Sequence, residues 1–322
     1  MRAAVSVWPI HRGIVALTVG LGASAGAGCG KVDTMLSDDA SVGSMVDAAP
    51  VPDAATPDAG GGEPDAGRPA CAWGELSPAL FAMVNGPDYE ESATLTGDGL
   101  AVFFTRFPFD GNGTADIYDA ARESSDQPFS APRLVGELSS DEDELSLEIS
   151  GDGSEIFFQR FSDDILTASR PSRGAAFGEV APTGLLGWSP TLSGDGLSLY
   201  FIDLDFVRIA RATRTAIGEP WDSPVDVGAV GGFDSIDVSA DELSMLYSRG
   251  ADGVSQPVAI ARRDSTRDPF GVPVSAGGVF RLADDISSFV EASWDAGQHQ
   301  IAVSVELKSS ETGSDLWMST CE

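Results

Sequence analysis

The sequence predicts an all-β fold, a five-bladed β-propeller built from four-stranded antiparallel blades. Between Glu90 and Glu322 the chain repeats one pattern five times, in which two short apolar runs flank a tight turn built on an aspartate. Successive turn aspartates are 54, 43, 46 and 54 residues apart, a spacing typical of propeller blades. The hydrophobic content of 42%, with 16 Phe and 6 Trp, is enough to fill a large core. The turn aspartates are Asp98, Asp152, Asp195, Asp241 and Asp295.

Residues 1–28, which precede the repeats, are predicted to be an export signal. A basic start, Arg2–Arg12, is followed by the apolar run Ile14–Leu21, which is too short to span a bilayer. The following Gly26–Cys29 resembles the cleavage site of a bacterial lipoprotein signal, which implies that Cys29 is lipidated and becomes the mature N-terminus. The alternative is cleavage after Ala25 and release as a secreted protein.

Residues 29–71 are predicted to be a disordered tether. This tract consists mainly of Asp, Ala, Pro and Gly, and it has almost no large apolar residues to offset the entropy of ordering it. Proline and charge repulsion keep such a segment extended. We therefore expect a spacer between a lipid anchor and a propeller formed by residues 72–322.

Each repeat is predicted to supply four strands. The first ends at the turn, where Asp-Gly would provide the positive φ angles of a two-residue hairpin, and the second is the following apolar run. The third strand often opens with an acid, as at Asp116, Asp164 and Asp315. The fourth contains an aromatic residue and is expected at Phe129–Val135, Phe177–Pro182, Trp221–Val227 and Phe270–Val274.

Residues 72–322 resemble the WD-repeat-like, TolB-type β-propellers of bacteria. The resemblance rests on the Ser-x-Asp-Gly turn and on the third strand of the form Asp116-Ile117-Tyr118. Copies four and five depart from this pattern, with Ala240-Asp241-Glu242 and Trp294-Asp295-Ala296 at the turn. The resemblance implies a propeller domain carried by a lipoprotein.

The fifth copy ends after its third strand, at 320–322, so another part of the chain must complete the blade. Trp73–Val84 has the pattern of the other fourth strands, and pairing it with the last strand would remove a free sheet edge. Cys71 and Cys321 flank this junction, and an exported protein lies where disulfides persist. We expect them to be bonded; the alternative is two free thiols.

Charge and residue usage argue against several classes of function. The formal charge of −31 repels phosphate backbones and anionic lipids, so no nucleic-acid partner is expected and membrane contact is expected only through the lipid anchor. The chain contains only two histidines, His11 and His299, which argues against zinc ligation by His clusters and against Ser-His-Asp catalysis. A P-loop, a Rossmann fingerprint and a Cys-x-x-Cys motif are also missing from the sequence.

One segment resembles a calcium loop in its spacing of oxygen ligands, and otherwise no cofactor is expected. Its alternate positions are Asp110, Asn112, Thr114 and Asp116, but Ala115 and Ala121 replace the glycine and glutamate that such loops require. The alternative is a glycine-rich loop whose last aspartate opens the third strand.

The strongest candidate site is a ring of acidic and aromatic residues just before the first strands. First strands line the channel of a propeller, so these residues should converge on one face and could receive a cation, a sugar or a peptide. The alternative is that they are solvated turns with aromatic plugs between blades. The candidates are Tyr89, Glu91, Glu144, Trp188, Phe233, Asp234 and Asp285.

Two classes of function follow from this ring. The first is a monomeric binding or scaffold module in the cell envelope, at the outer membrane or in the periplasm, with a protein or a glycan as ligand. The second is a five-bladed glycoside hydrolase in which Glu91, Glu144 and Asp234 provide acid and base. The absence of a catalytic motif favours the first.

Overall fold

The computed structural model describes residues 73–160, 163–204, 208–229, 234–248, 258–275, 286–295, 300–307 and 313–320. Within these ranges the chain forms five antiparallel sheets and one short 3-10 helix. The sheets are arranged as the blades of a ring, which confirms the predicted five-bladed β-propeller. The predictions for the signal peptide, the tether, Cys29, Cys71 and Cys321 lie outside the described residues.

The first two blades each contain four strands that pair in chain order. Blade 1 consists of β1 (Tyr89–Leu95), β2 (Ala101–Phe107), β3 (Asp116–Ala121) and β4 (Arg133–Leu134). Blade 2 consists of β5 (Leu145–Ile149), β6 (Glu155–Gln159), β7 (Asp164–Ser169) and β8 (Ala181–Leu186).

Blades 3 and 4 repeat this topology, and the sheet of blade 5 has three strands. Blade 3 consists of β9 (Trp188–Leu192), β10 (Ser198–Ile202), β11 (Arg208–Thr213) and β12 (Val225–Ala229). Blade 4 consists of β13 (Ser235–Val238), β14 (Ser244–Ser248), β15 (Val258–Arg262) and β16 (Val274–Ser275). Blade 5 consists of β17 (Ile286–Trp294), β18 (Gln300–Leu307) and β19 (Asp315–Thr320).

The N-terminal end of the described domain completes blade 5, as predicted, but over a shorter segment. The Gly74 amide donates to the Thr320 carbonyl at 3.0 Å, and Ser77 and Met318 exchange two backbone hydrogen bonds of 2.9 Å. Pairing then ends, because Pro78 leads into a 3-10 helix at Ala79–Phe81. The prediction that the closing strand extends to Val84 is therefore wrong.

The repeated aspartates act as hydrogen-bond acceptors inside longer turns, so the predicted two-residue hairpin is wrong. In blade 1, Asp98 accepts from the Thr96 hydroxyl at 2.8 Å and from the Leu100 amide at 3.0 Å. Gly99, at φ 65°, is the residue that takes the left-handed conformation. Blade 4 places Glu242 at the corresponding position, with φ 60°. The same side-chain bonds to aspartate recur at Asp152, Asp195 and Asp241.

Four arginines, which we call the latch arginines, follow directly after the third strands of blades 1 to 4. Each donates its Nε to a carbonyl of its own blade's turn at 2.7–2.8 Å. Each guanidinium also lies 4.2–4.5 Å from the centre of the aromatic ring seven residues later. The latch arginines and their rings are Arg122 with Phe129, Arg170 with Phe177, Arg214 with Trp221, and Arg263 with Phe270.

This arrangement corrects the predicted fourth strands. Their aromatic residues precede the strands and serve as stacking partners for arginine, and β4, β8, β12 and β16 begin several residues later. The latch arginines also join neighbouring blades, because Arg214 forms an ion pair with Glu155 of blade 2 at 2.5 Å. Arg263 likewise donates to the Tyr200 hydroxyl of blade 3 at 2.6 Å.

Candidate functional site

The innermost strands β1, β5, β9, β13 and β17 contact one another around the channel. Each runs from one face of the ring to the other. We call the face at their first residues, which include Tyr89, Glu91 and Asp234, the mouth face, and the face at the turn aspartates the turn face. Of the sequence-predicted candidates, those that the structure describes stand at or next to the first residues of these strands.

Three innermost strands carry the same irregularity. Ser92, Ser146 and Ser189 have φ angles of 51°, 52° and 52°, a conformation that non-glycine residues rarely adopt. The pairing of each strand with its neighbour shifts register at this point, as expected for a β-bulge. The bulge changes the direction in which the following side chains point, next to the channel.

Below the bulges lies a ring of polar residues that we call the channel belt. Each member stands four residues before a turn aspartate, so all five occupy the same position in their blades. The belt combines two threonines with three carboxylic acids. Its members are Thr94, Glu148, Thr191, Asp237 and Glu291.

Hydrogen bonds connect the belt across blade boundaries. Glu148 accepts from the Thr94 hydroxyl at 2.9 Å and from the Leu192 amide at 2.8 Å. Asp237 accepts from the Thr191 hydroxyl at 2.7 Å and from the Trp294 amide at 2.8 Å. Belt carboxylates therefore join blades 1 to 5 at the centre of the ring.

Burial raises the pKa of all three belt acids. Removal from water raises the pKa of Glu148 well above its usual value, and the nearby charge of Asp237 raises it further. Burial raises the pKa of Asp237 to about 7, although hydrogen bonds from Thr191 and Trp294 oppose the shift. A positive charge placed among these acids would therefore offset the cost of holding their ionised forms away from water.

Glu291 links the belt to the mouth face. Burial raises its pKa to about 7, and a hydrogen bond from Ser92 acts in the opposite direction. The negative charges of Glu91 in blade 1 and Asp234 in blade 4 raise the pKa of Glu291 further. Residues of blades 1 and 4 thus act on one carboxylate of blade 5.

A small cavity lies among the bulges and the belt. It is lined by Ser146, Glu148, Thr191, Asp237 and Glu291, together with neighbouring residues of the innermost strands. The cavity offers about 20 Å³ to the centres of water-sized molecules, which is room for one or two waters. The Ser146 hydroxyl has no hydrogen-bond partner, although Ser146 is only 4% exposed.

Two of the predicted acids, Glu91 and Asp234, act electrostatically on Glu291. Glu91 also accepts a hydrogen bond from the Ser314 hydroxyl at 2.9 Å. The predictions for Phe233 and Asp285 lie outside the described residues.

Glu144 lies in a different setting from Glu91. Its side chain is 0% exposed and pairs with Arg160 at 2.9 Å, as Glu90 pairs with Arg106 at 2.8 Å in blade 1. Counting from the turn aspartates explains the difference, because Glu144 stands eight residues before its aspartate and Glu91 stands seven. A shift of one residue moves a side chain to the opposite face of a strand.

The predicted aromatic residues occupy two environments. Trp188 is partly buried and packs against the apolar core that blades 3 and 4 share. Tyr89 lies at the mouth face, where its ring centre is 6.2 Å from Phe107 and 5.5 Å from Phe109. Phe109 is 46% exposed, so this aromatic group is open to a ligand.

The predicted calcium loop is an exposed connection between β2 and β3. Asp110 accepts a hydrogen bond from the Asn112 amide at 2.9 Å, which lowers the pKa of Asp110. Asp116 opens β3 as predicted, and Thr114 lies between them. In the residues that the structure describes, no three His, Cys, Asp or Glu side chains are grouped to hold a metal ion.

The channel belt is the part of the site that sequence reasoning missed. Its signal was available, because acids recur four residues before the turn aspartate in copies two, four and five. Those positions lie inside apolar strands, where a polar residue must find partners or a ligand. Attention to buried polar positions of the strands would have identified them.

Comparisons with known proteins find distant structural neighbours only. No protein-family model and no curated relative matches the sequence. Among solved structures, a GH62 hydrolase in complex with xylotriose is 9% identical, with a TM-score of 0.47, over 72% of this chain and 91% of the other. The native arabinanase of Bacillus subtilis is 13% identical, with a TM-score of 0.47, over 71% and 92%.

A putative TolB from Agrobacterium tumefaciens is a further structural neighbour. It is 13% identical, with a TM-score of 0.39, over 70% of this chain and 73% of the other. Within the part of the chain that the structure describes, no helix has the length and apolar character needed to cross a membrane.

Proposed function

We propose that this protein is a binding or scaffold module of the cell envelope that receives a protein or glycan ligand at its mouth face. The observation that carries the proposal is that Glu91 of blade 1 and Asp234 of blade 4 both act electrostatically on the buried Glu291 of blade 5. Carboxylates held close together repel one another, and a ligand that brings positive charge or hydrogen-bond donors relieves this repulsion. Such an arrangement favours binding over a purely structural role.

The aromatic group beside these acids supports the same proposal. Tyr89, Phe107 and Phe109 form adjoining ring contacts at the edge of the mouth face. Exposed aromatic side chains supply apolar contact area, and the acids next to them fix the orientation of a ligand through polar contacts. Peptides and sugars both present this combination of apolar and polar surface.

The hydrolase alternative has less support. It needs Glu91, Glu144 and Asp234 to act on one substrate, whereas the Glu144 side chain is fully buried against Arg160. Retaining and inverting glycosidases separate their two carboxyl groups by about 5 to 10 Å across a substrate-sized space. Binding without hydrolysis of the same glycan would count against this alternative.

The location of the protein is part of the proposal. We propose that lipid on Cys29 anchors it to the envelope and that residues 29–71 act as the spacer. Mass spectrometry of membrane-extracted protein should show a diacylglyceryl adduct on Cys29. Mature protein that starts at Gly26 would contradict the anchor and would favour secretion.

The binding proposal is tested by screening the mature protein against glycans and envelope extracts. A variant carrying Glu91→Gln and Asp234→Asn should lose at least about tenfold in affinity for any ligand of the mouth face, equivalent to 1.4 kcal/mol. The matched control carries Glu179→Gln and Glu219→Gln, which removes the same charge from exposed positions that follow latch arginines, at the turn-face ends of the third strands. Equal losses in both variants would indicate attraction by net charge alone and would contradict a mouth-face site.

A further inference from the structure

We propose that the cavity among the channel belt is a binding site for a primary ammonium group. This inference deepens the proposed function, since it names the chemical group that the channel takes below the mouth face. It rests on that function only where the ammonium group belongs to a partner protein.

The first argument is the unpartnered Ser146 hydroxyl. Ser146 lines the cavity, is 4% exposed and has no hydrogen-bond partner. Buried hydroxyls normally form hydrogen bonds, because a hydroxyl without a partner has lost its bonds to water and gained none in return. The hydroxyl therefore marks a place where a polar occupant completes the structure.

The second argument is the chemistry of the other groups around the cavity. Glu148 and Asp237 each accept two of the hydrogen bonds described above, one at each carboxylate oxygen. An ionised carboxylate has about four lone-pair directions, so both acids keep capacity to accept more bonds. Glu291 adds a third carboxylate to the same wall. An occupant of this cavity must therefore supply several donors.

The third argument is charge. The three acids are held where burial disfavours their ionised forms. A cation among them offsets this cost, whereas a neutral occupant supplies hydrogen bonds without neutralising charge. Glu91 and Asp234 add negative charge on the mouth side, which attracts a cation towards the cavity.

The fourth argument is size. The cavity has room for one or two water-sized groups, which is too little for a sugar ring, a guanidinium or a hydrated divalent ion. The described acids also form no metal-holding group of three. A primary ammonium group is about as large as a water molecule, and its three N–H bonds match the donor requirement.

An ammonium group could come from two sources. One is a small free amine or ammonium ion in solution. The other is the lysine side chain of a partner protein, which reaches through the mouth face and places its head group in the cavity. Both sources share one chemistry, and the experiment separates them.

The first arm measures the melting temperature of the mature protein at pH 8 in methylammonium, potassium, calcium or tetramethylammonium chloride at one ionic strength. Methylammonium at ten or more times its Kd should raise the melting temperature by about 3 °C or more relative to tetramethylammonium. An equal rise with tetramethylammonium, potassium or calcium would overturn the assignment, because none of these cations donates a hydrogen bond.

Variants locate the effect. Ser146→Ala should reduce the methylammonium response by at least half, and Ser146→Gly provides the same deletion in a residue that tolerates the positive φ. Ser248→Ala is the matched control, because Ser248 also has a buried hydroxyl without a partner but does not line the cavity. A full response in both Ser146 variants would overturn the site.

The second arm compares binding of a lysine-containing peptide with the same peptide acetylated on lysine. If methylammonium binds and acetylation weakens peptide binding at least tenfold, the cavity takes a partner's lysine. If methylammonium binds and the two peptides behave alike, the ammonium site stands with a free amine as its ligand. In that case the proposed mouth-face function is tested separately, by the binding of the variant that carries Glu91→Gln and Asp234→Asn.

Discussion

The turn face and the mouth face of this propeller are built on opposite plans. On the turn face, blades 1 to 4 use the same hydrogen bonds to aspartate and the same arginine stacked on an aromatic ring. On the mouth face, corresponding positions differ, and the residues seven before the turn aspartates of blades 1 to 4 are Glu91, Leu145, Trp188 and Asp234. Repetition marks the side that every blade needs for folding, and divergence marks the side that is free to bind a ligand.

A physical reason underlies this difference. Each blade must close its first turn and attach to a neighbour, so the same problem recurs and the same residues solve it. Gly97 and Gly194 show this on the turn face, because each donates its amide to a carbonyl of the next blade's turn, at 2.8 and 3.0 Å. The mouth face has no such requirement, and acids can collect there where the fold tolerates their repulsion.

The prediction with the largest expected effect concerns blade 5, in which a cysteine stands at the position of the latch arginine. Cys321 follows β19 directly, in the position that the latch arginines hold after the third strands of the other blades. Gly74 pairs with Thr320, which brings the chain near Cys71 to the same junction. We predict a Cys71–Cys321 disulfide that stabilises the fold by up to ~5 kcal/mol on the chain-entropy model.

Peptide mapping without reductant should recover the linked pair, and reduction should lower the melting temperature. The double variant Cys71→Ser with Cys321→Ser is the control, since its stability should not respond to reductant. Two free thiols in protein from its native compartment would contradict the bond but leave the propeller in place.

The next effect concerns a latch arginine. Arg214→Met should lower the free energy of unfolding by about 3 to 5 kcal/mol, because it leaves the buried Glu155 carboxylate without its partner. Denaturant unfolding measures the loss. Adding Glu155→Gln should recover part of it, since the unpaired charge is then gone.

Arg173→Met is the matched control on the same face. Arg173 pairs with Asp98 at 2.6 Å, but both side chains are about 40% exposed, at 39% and 42%. Exposed pairs contribute about 0 to 1 kcal/mol, so this variant should be nearly as stable as the wild type. Similar losses of stability in Arg173→Met and Arg214→Met would show that burial does not determine how much each ion pair stabilises the fold.

Near the mouth face, the buried Glu291 should make the stability of the protein depend on pH. The folded state holds the Glu291 proton up to a pKa of about 7, whereas the unfolded chain releases it near 4.5. Between these values the folded state binds more protons, so its stability falls as pH rises and is constant above about 7. Glu291→Gln should remove at most about 3 kcal/mol of this fall, measured between pH 5 and pH 8.

An unchanged pH profile in Glu291→Gln would mean that Glu291 titrates as it does in water. Glu142→Gln is the control, because Glu142 is exposed and its removal should leave the profile as it is in the wild type. The acids Glu148 and Asp237 contribute with the same sign in both proteins. The comparison between variants therefore isolates Glu291.

The smallest effect concerns the acids that act on Glu291. Glu91→Gln with Asp234→Asn removes two negative charges, so the pKa of Glu291 should fall, by less than about one pH unit. Nuclear magnetic resonance titration of a labelled side chain measures this directly. A pKa that stays in place would show that burial alone sets it and that the mouth acids are too distant to matter.

The fold was predictable where one signal repeats. The spacing of the turn aspartates gave the blades, and the acids Asp116, Asp164 and Asp315 marked the starts of β3, β7 and β19. The fourth strands were misplaced because an aromatic residue followed by proline suggests a strand, whereas Phe129 is there to stack on Arg122. That pairing joins two residues seven positions apart across a loop, which strand periodicity does not report.

The candidate site was less predictable because it depends on register. Glu91 and Glu144 look equivalent in sequence, yet an offset of one residue sends Glu144 to Arg160 and leaves Glu91 near Glu291. The bulges at Ser92 and Ser146 add a further shift that no period-two pattern shows. Residues of different blades are therefore best compared by their distance in sequence from the turn aspartate of their own blade.

The pairing of Gly74 with Thr320 has a consequence for protein engineering. Because the two ends of the folded domain meet within one blade, a short linker should join residues 73 and 320 without reshaping the ring. New ends could then be opened at Gly111, in an exposed loop where nothing lies within 4 Å of an added Cβ. Such a permuted chain would show whether the ring must begin with blade 1 or whether any blade can start its assembly.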